Sequence, residues 1–212
     1  MRRRLLPAIS SRLLCGIALL LALGACGGPK TIATHGYTAL LAFSGEERYP
    51  IAWRGTMARV EGTLDGKPLV RVVRADLGKE LQFRPQGTKI FEKPWNPKEE
   101  IVPGYPLEPG FSPGAYAERF GATFERIDDA VHGLHPCERY ALTLPSGDLV
   151  TIWVARDLER LVVKIEHQRK EGGDEEQPFT VTELLDVRVS ADAKLFEAPK
   201  NRTKVSSFGE LD

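Results

Sequence analysis

The chain has 212 residues, with 29 Lys plus Arg against 29 Asp plus Glu, 42% hydrophobic and 8% aromatic residues. That is an ordinary globular composition of one-domain size, and it excludes a collagen, a disordered chain and a large multidomain enzyme. A formal net charge of zero argues against a nucleic-acid binder, which needs a clustered excess of cations to neutralise phosphates.

Arg2, Arg3, Arg4 and Arg12 precede an uncharged run of 13 residues, Leu13 to Ala25, that ends in small residues. Basic, apolar and small segments in this order make a secretory signal, and the run falls short of the roughly 20 residues that a spanning helix needs. Leu23-Gly24-Ala25-Cys26 resembles the lipobox of bacterial lipoproteins. The resemblance implies a signal over residues 1–25, removed before Cys26, and a diacylglyceryl group on the Cys26 thiol (a palmitate-type anchor) with further acylation of the new amino terminus. Each buried methylene contributes about 0.8 kcal/mol, so one chain holds marginally and two or three hold stably. Gly27 rather than Asp follows, which in that family favours the outer over the inner membrane. The expected location is therefore the cell envelope, lipid-anchored on the periplasmic face. In the alternative reading Cys26 stands incidentally beside an ordinary cleavage site, and the domain is exported all the same.

Loss of residues 1–25 removes four Arg and no acid, leaving 25 basic against 29 acidic residues and a net charge of −4. Cys15 leaves with the signal. Cys137 then remains as a lone thiol, so no intramolecular disulfide is available and the core alone must stabilise the domain.

Residues 26–36 read as a lipidated tether, rich in Gly and Thr without apolar periodicity. From Tyr37 to Lys93 the pattern is period two, punctuated by Gly, Pro and Asp, as in a meander of strands. Tyr37, Ala39, Leu41 and Phe43 fall on one face; Leu69, Val73, Ala75 and Leu77 fall on one face of a later run, with Arg71 among them. Asp65-Gly66 is a strong hairpin signal. It sets one strand from Ile51 to Leu64 and another from Pro68 to Ala75. Further strands, Leu81 to Arg84 and Lys89 to Glu92, flank the turn sequence Pro85-Gln86-Gly87-Thr88.

Pro94, Pro97, Pro103, Pro106, Pro109 and Pro113 then interrupt any ladder, and the stretch reads as an ordered crossover or lid. Ser112-Pro113 opens a short helix over 115–120. Strands resume at Tyr140 to Leu144, Leu149 to Ala155, Leu161 to His167 and Phe179 to Val189, with the charged tip Lys170 to Glu176 keeping an edge soluble. On the last strand Phe179, Val181, Leu185, Val187 and Val189 share one face, Glu183 breaks it, and Leu184 lies on the other. About ten mostly one-sided antiparallel strands with little helix must cover their apolar face, and curling into an unclosed barrel is the economical way. The expected layout is one β-rich domain over 37–205 and a tail over 206–212.

The segments Val131 to Tyr140, Val150 to Leu158, Val163 to Glu166 and Leu185 to Pro199 carry a C-x-x-Y, a W-x-A-x-D-L strand end, a V-K-x-E strand and a terminal L-F-x-x-P in order. This arrangement resembles bacterial outer-membrane lipoprotein-sorting proteins over residues 130–204. The resemblance implies a mainly β, LolA/LolB-like unclosed barrel with few short helices, whose apolar concave face holds an acyl chain. An anchored chain fits an acceptor better than a soluble shuttle.

Phe43, Trp53, Phe83, Phe91, Trp95, Trp153 and Phe179 supply large apolar surface for such a lining, although ordinary core packing is the commoner use. Trp95, between Pro94 and Pro97, is placed to stand at a cavity mouth. His132, His135 and Cys137 form the one cluster of soft ligands, without a near fourth, so no metal or other cofactor is expected. Glu125, Asp128, Asp129, Asp157 and Glu159 read as solvated turn residues rather than acid–base pairs, and no nucleophile elbow or phosphate loop is present. The expected function is non-enzymatic: binding of a lipid, acyl chain or hydrophobic segment for envelope transport or assembly, with a filled-core lipoprotein that binds an envelope protein partner as the alternative. A metalloprotein or enzyme would require His132, His135 and Cys137 to converge.

Overall fold

The computed structural model describes residues 31–44, 47–169 and 179–211; the expected signal, Cys26 and the tip Lys170 to Glu176 lie outside the described residues. In chain order the elements are α1 (Ile32–His35), β1 (Tyr37–Phe43), β2 (Arg48–Arg54), β3 (Met57–Leu64), β4 (Lys67–Arg74), β5 (Lys79–Phe83), β6 (Lys89–Pro94), α2 (Pro113–Phe120), β7 (Thr123–His132), β8 (His135–Thr143), β9 (Leu149–Ala155), β10 (Leu161–Gln168), β11 (Phe179–Arg188) and β12 (Thr203–Val205). Short 3₁₀ turns cover Ala75–Leu77, Ala193–Phe196 and Phe208–Leu211. The protein is mainly β.

All twelve strands form one sheet in the order β12-β6-β5-β4-β3-β2-β1-β11-β10-β9-β8-β7. Two sequential antiparallel meanders, β1 to β6 and β7 to β11, are joined where β1 pairs with β11. Only β12 runs parallel to its neighbour, β6. The sheet is unclosed, since β7 and β12 are its two edges. It nevertheless coils: β7 lies four strands from β11, about 19 Å on a flat sheet, yet His132 Nε2 on β7 is 3.3 Å from the Leu184 carbonyl on β11.

Three expectations are corrected. The run Ile51 to Leu64 is two strands, because Gly55, at φ +59°, turns the chain between β2 and β3. Glu125, Asp128 and Asp129 lie on the long edge strand β7, whose bulge sets Ile127 and Asp128 against Arg139 alone and so destroys the period-two pattern. A similar bulge in β11 sets Asp186 and Val187 against Ala39, so one face cannot run through from Phe179 to Val189. At the Asp65-Gly66 hairpin both residues have positive φ, 55° and 73°, as a tight primed turn requires.

Directly paired residues share a face, so the register divides the sheet into two. One face carries Tyr37, Leu41, Ile51, Trp53, Val73, Tyr140 and Ile152, and is covered by Val102, Tyr105, Leu107 and Phe111 from the Pro-rich crossover and by Ala117 of α2. Each of these covering residues is buried. The opposite face of the first meander carries Ala52, Val70, Val72, Leu81, Phe83 and Ile90, closed by Ala191 and Phe196 from the C-terminal segment. The sheet is therefore sandwiched between two irregular segments. Ile32 of α1 is buried in the crossover-side core, and Leu211 is buried near the chain end. Among the described residues no helix is long and apolar enough to cross a membrane.

Candidate functional site

The crossover between β6 and α2 builds a cavity of about 660 Å³. It is walled by Trp53 from β2, Trp95, Tyr105 and Leu107 from the crossover, and Tyr116 and Arg119 from α2. Its shape depends on how the crossover is pinned. Tyr37 donates its hydroxyl to the Leu107 carbonyl at 2.8 Å, and Tyr105 donates to the Val162 carbonyl at 2.7 Å. Burial pushes both phenols up, so they stay protonated donors. Gly110 N and Phe111 N bond the Glu159 and Arg160 carbonyls at 2.7 and 3.0 Å, extending the turn after β9.

The helical wall follows from local sequence. Ser112 caps α2 with Pro113 in the first turn, and Gly121, at φ +62°, ends it in the left-handed conformation. Tyr116 then packs between Phe111 and Phe120 with tilted rings, centroids 5.3 and 4.8 Å away, and donates to the Gly104 carbonyl at 3.2 Å. Arg119 pairs with Glu100 at 2.7 Å, and the same carboxylate accepts from Gly104 N at 2.6 Å. Helix and crossover are thus clasped at the rim.

The other end of the crossover is held by a charged cluster on the same face of the sheet. Glu80 is fully buried. It accepts from Arg71 Nε at 2.8 Å and Gln82 Nε2 at 2.5 Å, and its other oxygen lies 3.5 Å from Lys93 Nζ. Arg71 reaches on to the Ile101 carbonyl at 3.1 Å, and Lys93 to Glu99 at 3.1 Å. Burial alone would push the Glu80 carboxyl up, but the bonds from Arg71 and Gln82 and the charges of Arg71 and Lys93 more than offset it and hold it below the usual carboxylate range.

Of the expected lining residues, Trp53 and Trp95 meet at this cavity. Trp53 stacks on Tyr37, and the Trp95 backbone is tied down through its main-chain N–H to the Gly78 carbonyl at 3.0 Å. The others lie elsewhere. Phe43 packs edge-on to Tyr49, and Phe91 packs edge-on to Phe208. Phe83 is buried under the C-terminal segment, with Arg59 and Arg202 over its ring. Trp153 shares the opposite face with Arg139 and Lys164, each 4.9 Å from its ring. The Phe179 side chain is outside the description. Tyr105 and Leu107 escape sequence reading because irregular segments have no periodicity to mark an inward side chain, and Tyr116 because a helix of eight residues is too short to show an apolar stripe.

His132, His135 and Cys137 do not form a ligand set. His132 faces Glu183 at 3.6 Å, His135 bonds Asp157 at 2.9 Å, and the Cys137 thiol donates to the His135 carbonyl at 3.3 Å. Burial pushes the Cys137 thiol up, away from the thiolate that metals bind. No three His, Cys, Asp or Glu side chains gather as a metal site among the described residues. Asp128 pairs with Arg139, Asp129 with Arg126 and Arg156, and Glu159 accepts from Ala33 N at 2.9 Å. Among the described residues every carboxylate with a displaced pKa is displaced downward, whereas a general acid needs the reverse.

No family model matches the chain, and no curated protein matches it in sequence. Solved structures resemble it in fold. An uncharacterised conserved protein of Thermus thermophilus superposes with a TM-score of 0.51 at 8% identity, over 82% of this chain and 91% of that one. A chain of the MucA/MucB complex of Pseudomonas aeruginosa gives 0.49 at 11% identity, over 82% and 59%. A LolA superfamily protein of Nitrosomonas europaea gives 0.29 at 9% identity, over 78% and 91%. The likeness to the Thermus protein is one of fold alone.

Proposed function

We propose that this is an envelope protein, exported and anchored through Cys26 on the periplasmic face, with the outer membrane favoured, that binds one lipid, acyl chain or other hydrophobic segment beneath the crossover. The cavity carries this reading. Trp53, Trp95, Ile101, Tyr105, Leu107 and Tyr116 offer a ligand apolar contact, with the hydroxyls of Tyr105 and Tyr116 already bonded to carbonyls, while Lys98, Glu99, Glu100, Glu108 and Arg119 supply the charged part of the lining. Its volume of about 660 Å³ lies mid-range for sites that enclose a single small ligand. Binding is passive: burial of apolar surface supplies the affinity.

A fluorescent fatty acid added to the purified protein is expected to bind and to quench tryptophan emission. Trp95→Ala is expected to weaken that binding about tenfold, the loss of roughly 1.4 kcal/mol of ring contact, and to lower the melting temperature by a few degrees because the ring also packs against the core. Protein that carries no co-purified lipid by mass spectrometry and binds no fatty acid rules the reading out. The anchor has its own test: radiolabelled palmitate is expected to label the protein in cells and to be absent from Cys26→Ala.

One observation favours a second reading, a partner-binding protein with a filled core. Val102, Tyr105, Leu107 and Phe111 occupy much of the sheet face that an acyl chain would otherwise cover. That reading predicts a protein partner whose binding is insensitive to Trp95→Ala.

A further inference from the structure

We propose that the sheet face opposite the crossover carries a second site, a groove for an extended acidic polypeptide segment. Two clefts of about 310 and 340 Å³ lie there and share Asp186 as their common wall. Register places their residues on one face of four adjacent strands. Thr38 of β1 faces Arg188 of β11 and Ala52 of β2; Leu40 faces Leu185 and Pro50; Ala42 faces Arg48; and Ala52 faces Arg59 of β3.

The groove has a floor and two walls. Leu40, Pro50 and Ala52 make the floor apolar. The turn at Leu195 is one wall, fixed by Arg59 Nη1 donating to the Leu195 carbonyl at 3.2 Å. The β7–β8 tip is the other, with Leu134 94% exposed and His132 held against the Leu184 carbonyl. Four strands at about 4.8 Å spacing span roughly 14 Å, which with the margin to each wall suits about five extended residues at 3.3 Å each.

Charge decides the occupant. The lining charges are Arg48, Arg59 and Arg188 against Glu61 and Asp186, and Arg59 is already paired with Glu61 at 2.7 Å. Among the described residues the side chains of Arg48, Arg188 and Asp186 have no hydrogen-bonding or ionic partner. Two open guanidinium groups, four residues apart along the ladder and on either side of an apolar floor, match a segment with carboxylates flanking apolar residues, through charge-assisted pairs. Asp186 stands between them in the β11 bulge at φ +53°, a conformation that costs a non-glycine residue about 1 kcal/mol or more. There its carboxylate can accept a backbone N–H of the bound segment. A bilayer is flat and does not enter a walled groove, so a polypeptide fits better than anionic lipid.

A displayed library of random octapeptides, selected on the full-length protein in detergent, is expected to enrich sequences with Asp or Glu flanking two or three apolar residues. A synthetic enriched peptide should bind about tenfold more weakly to R48E/R188E and lose affinity as salt rises. Both arginines are exposed, so the double variant is expected to melt with the parent, and R48K/R188K to retain part of the binding. Fatty-acid binding beneath the crossover should be the same in all of them. Enrichment of basic or uncharged peptides, no enrichment, equal binding by the charge-reversed variant, or charge-dependent binding of phosphatidylglycerol vesicles in place of peptide would each overturn the groove and leave the cavity reading standing.

Discussion

Glu80→Ala is expected to destabilise the protein by about 3–5 kcal/mol, the usual loss when one partner of a buried ion pair is removed and the other is left without it. Arg71 and Lys93 would then face each other across the space left by a fully buried carboxylate. The damage should spread beyond the sheet, because those two cations hold the Ile101 carbonyl and Glu99 of the crossover. Urea unfolding should register the global loss, and amide exchange should show residues 95–107 opening before the strands. Glu80→Gln keeps the shape and removes the charge, and its loss should be smaller.

The same carboxylate makes stability depend on acid. Its pKa is lower folded than unfolded, so its contribution is fully present above the unfolded value, about 4.3, and is lost as pH falls through the folded one. Stability should therefore decline below about pH 4.3, less steeply in Glu80→Gln. Curves of equal slope for the two proteins would show that Glu80 is not the titrating group.

Phe196→Ala is the second large effect, also about 3–5 kcal/mol. The ring is completely buried against Val70, Val72 and Leu81, in a core that its own strands cannot close. Removing it leaves a void bounded by rigid strands on one side and a short 3₁₀ turn on the other, so little can collapse into the space. For a domain of this size the melting temperature should fall by about 10 °C. Truncation before Ala191 should be worse, since it exposes the whole apolar surface from Ala52 to Ile90. A melting shift of a degree or two for Phe196→Ala would show that the C-terminal segment is an accessory layer.

What was readable beforehand tracks local chemistry. Asp65-Gly66 announces its hairpin because the turn demands positive φ at both positions; Gly55-Thr56 carries no such pair, and the apolar run reads straight through it. β7 is hidden for a different reason. It is an edge strand whose Phe124, Ile127 and Val131 are all exposed, and its bulge breaks the alternation that would reveal it. At the cavity, the prolines around Trp95 mark the crossover, and Trp95 stands in its wall with Trp53. The buried cluster is legible only once register is known: Arg71 pairs with Gln82, and Glu80 with Lys93, so four polar side chains that look scattered in the chain fall on one face.

The seam between β1 and β11 has a consequence in time. Nearly every other strand pairing is between neighbours in sequence, which close quickly because the intervening loops are short. β1 and β11 stand more than 130 residues apart. A chain delivered from its amino terminus can therefore assemble β1 to β6 while the outer edge of β1, with Leu41 and Ala42, still waits for its partner. Until the last sixth of the chain arrives, that edge is an adhesive margin, open to pairing with any other strand. The order of synthesis thus makes the final segment the step that converts a sticky half-sheet into a finished protein.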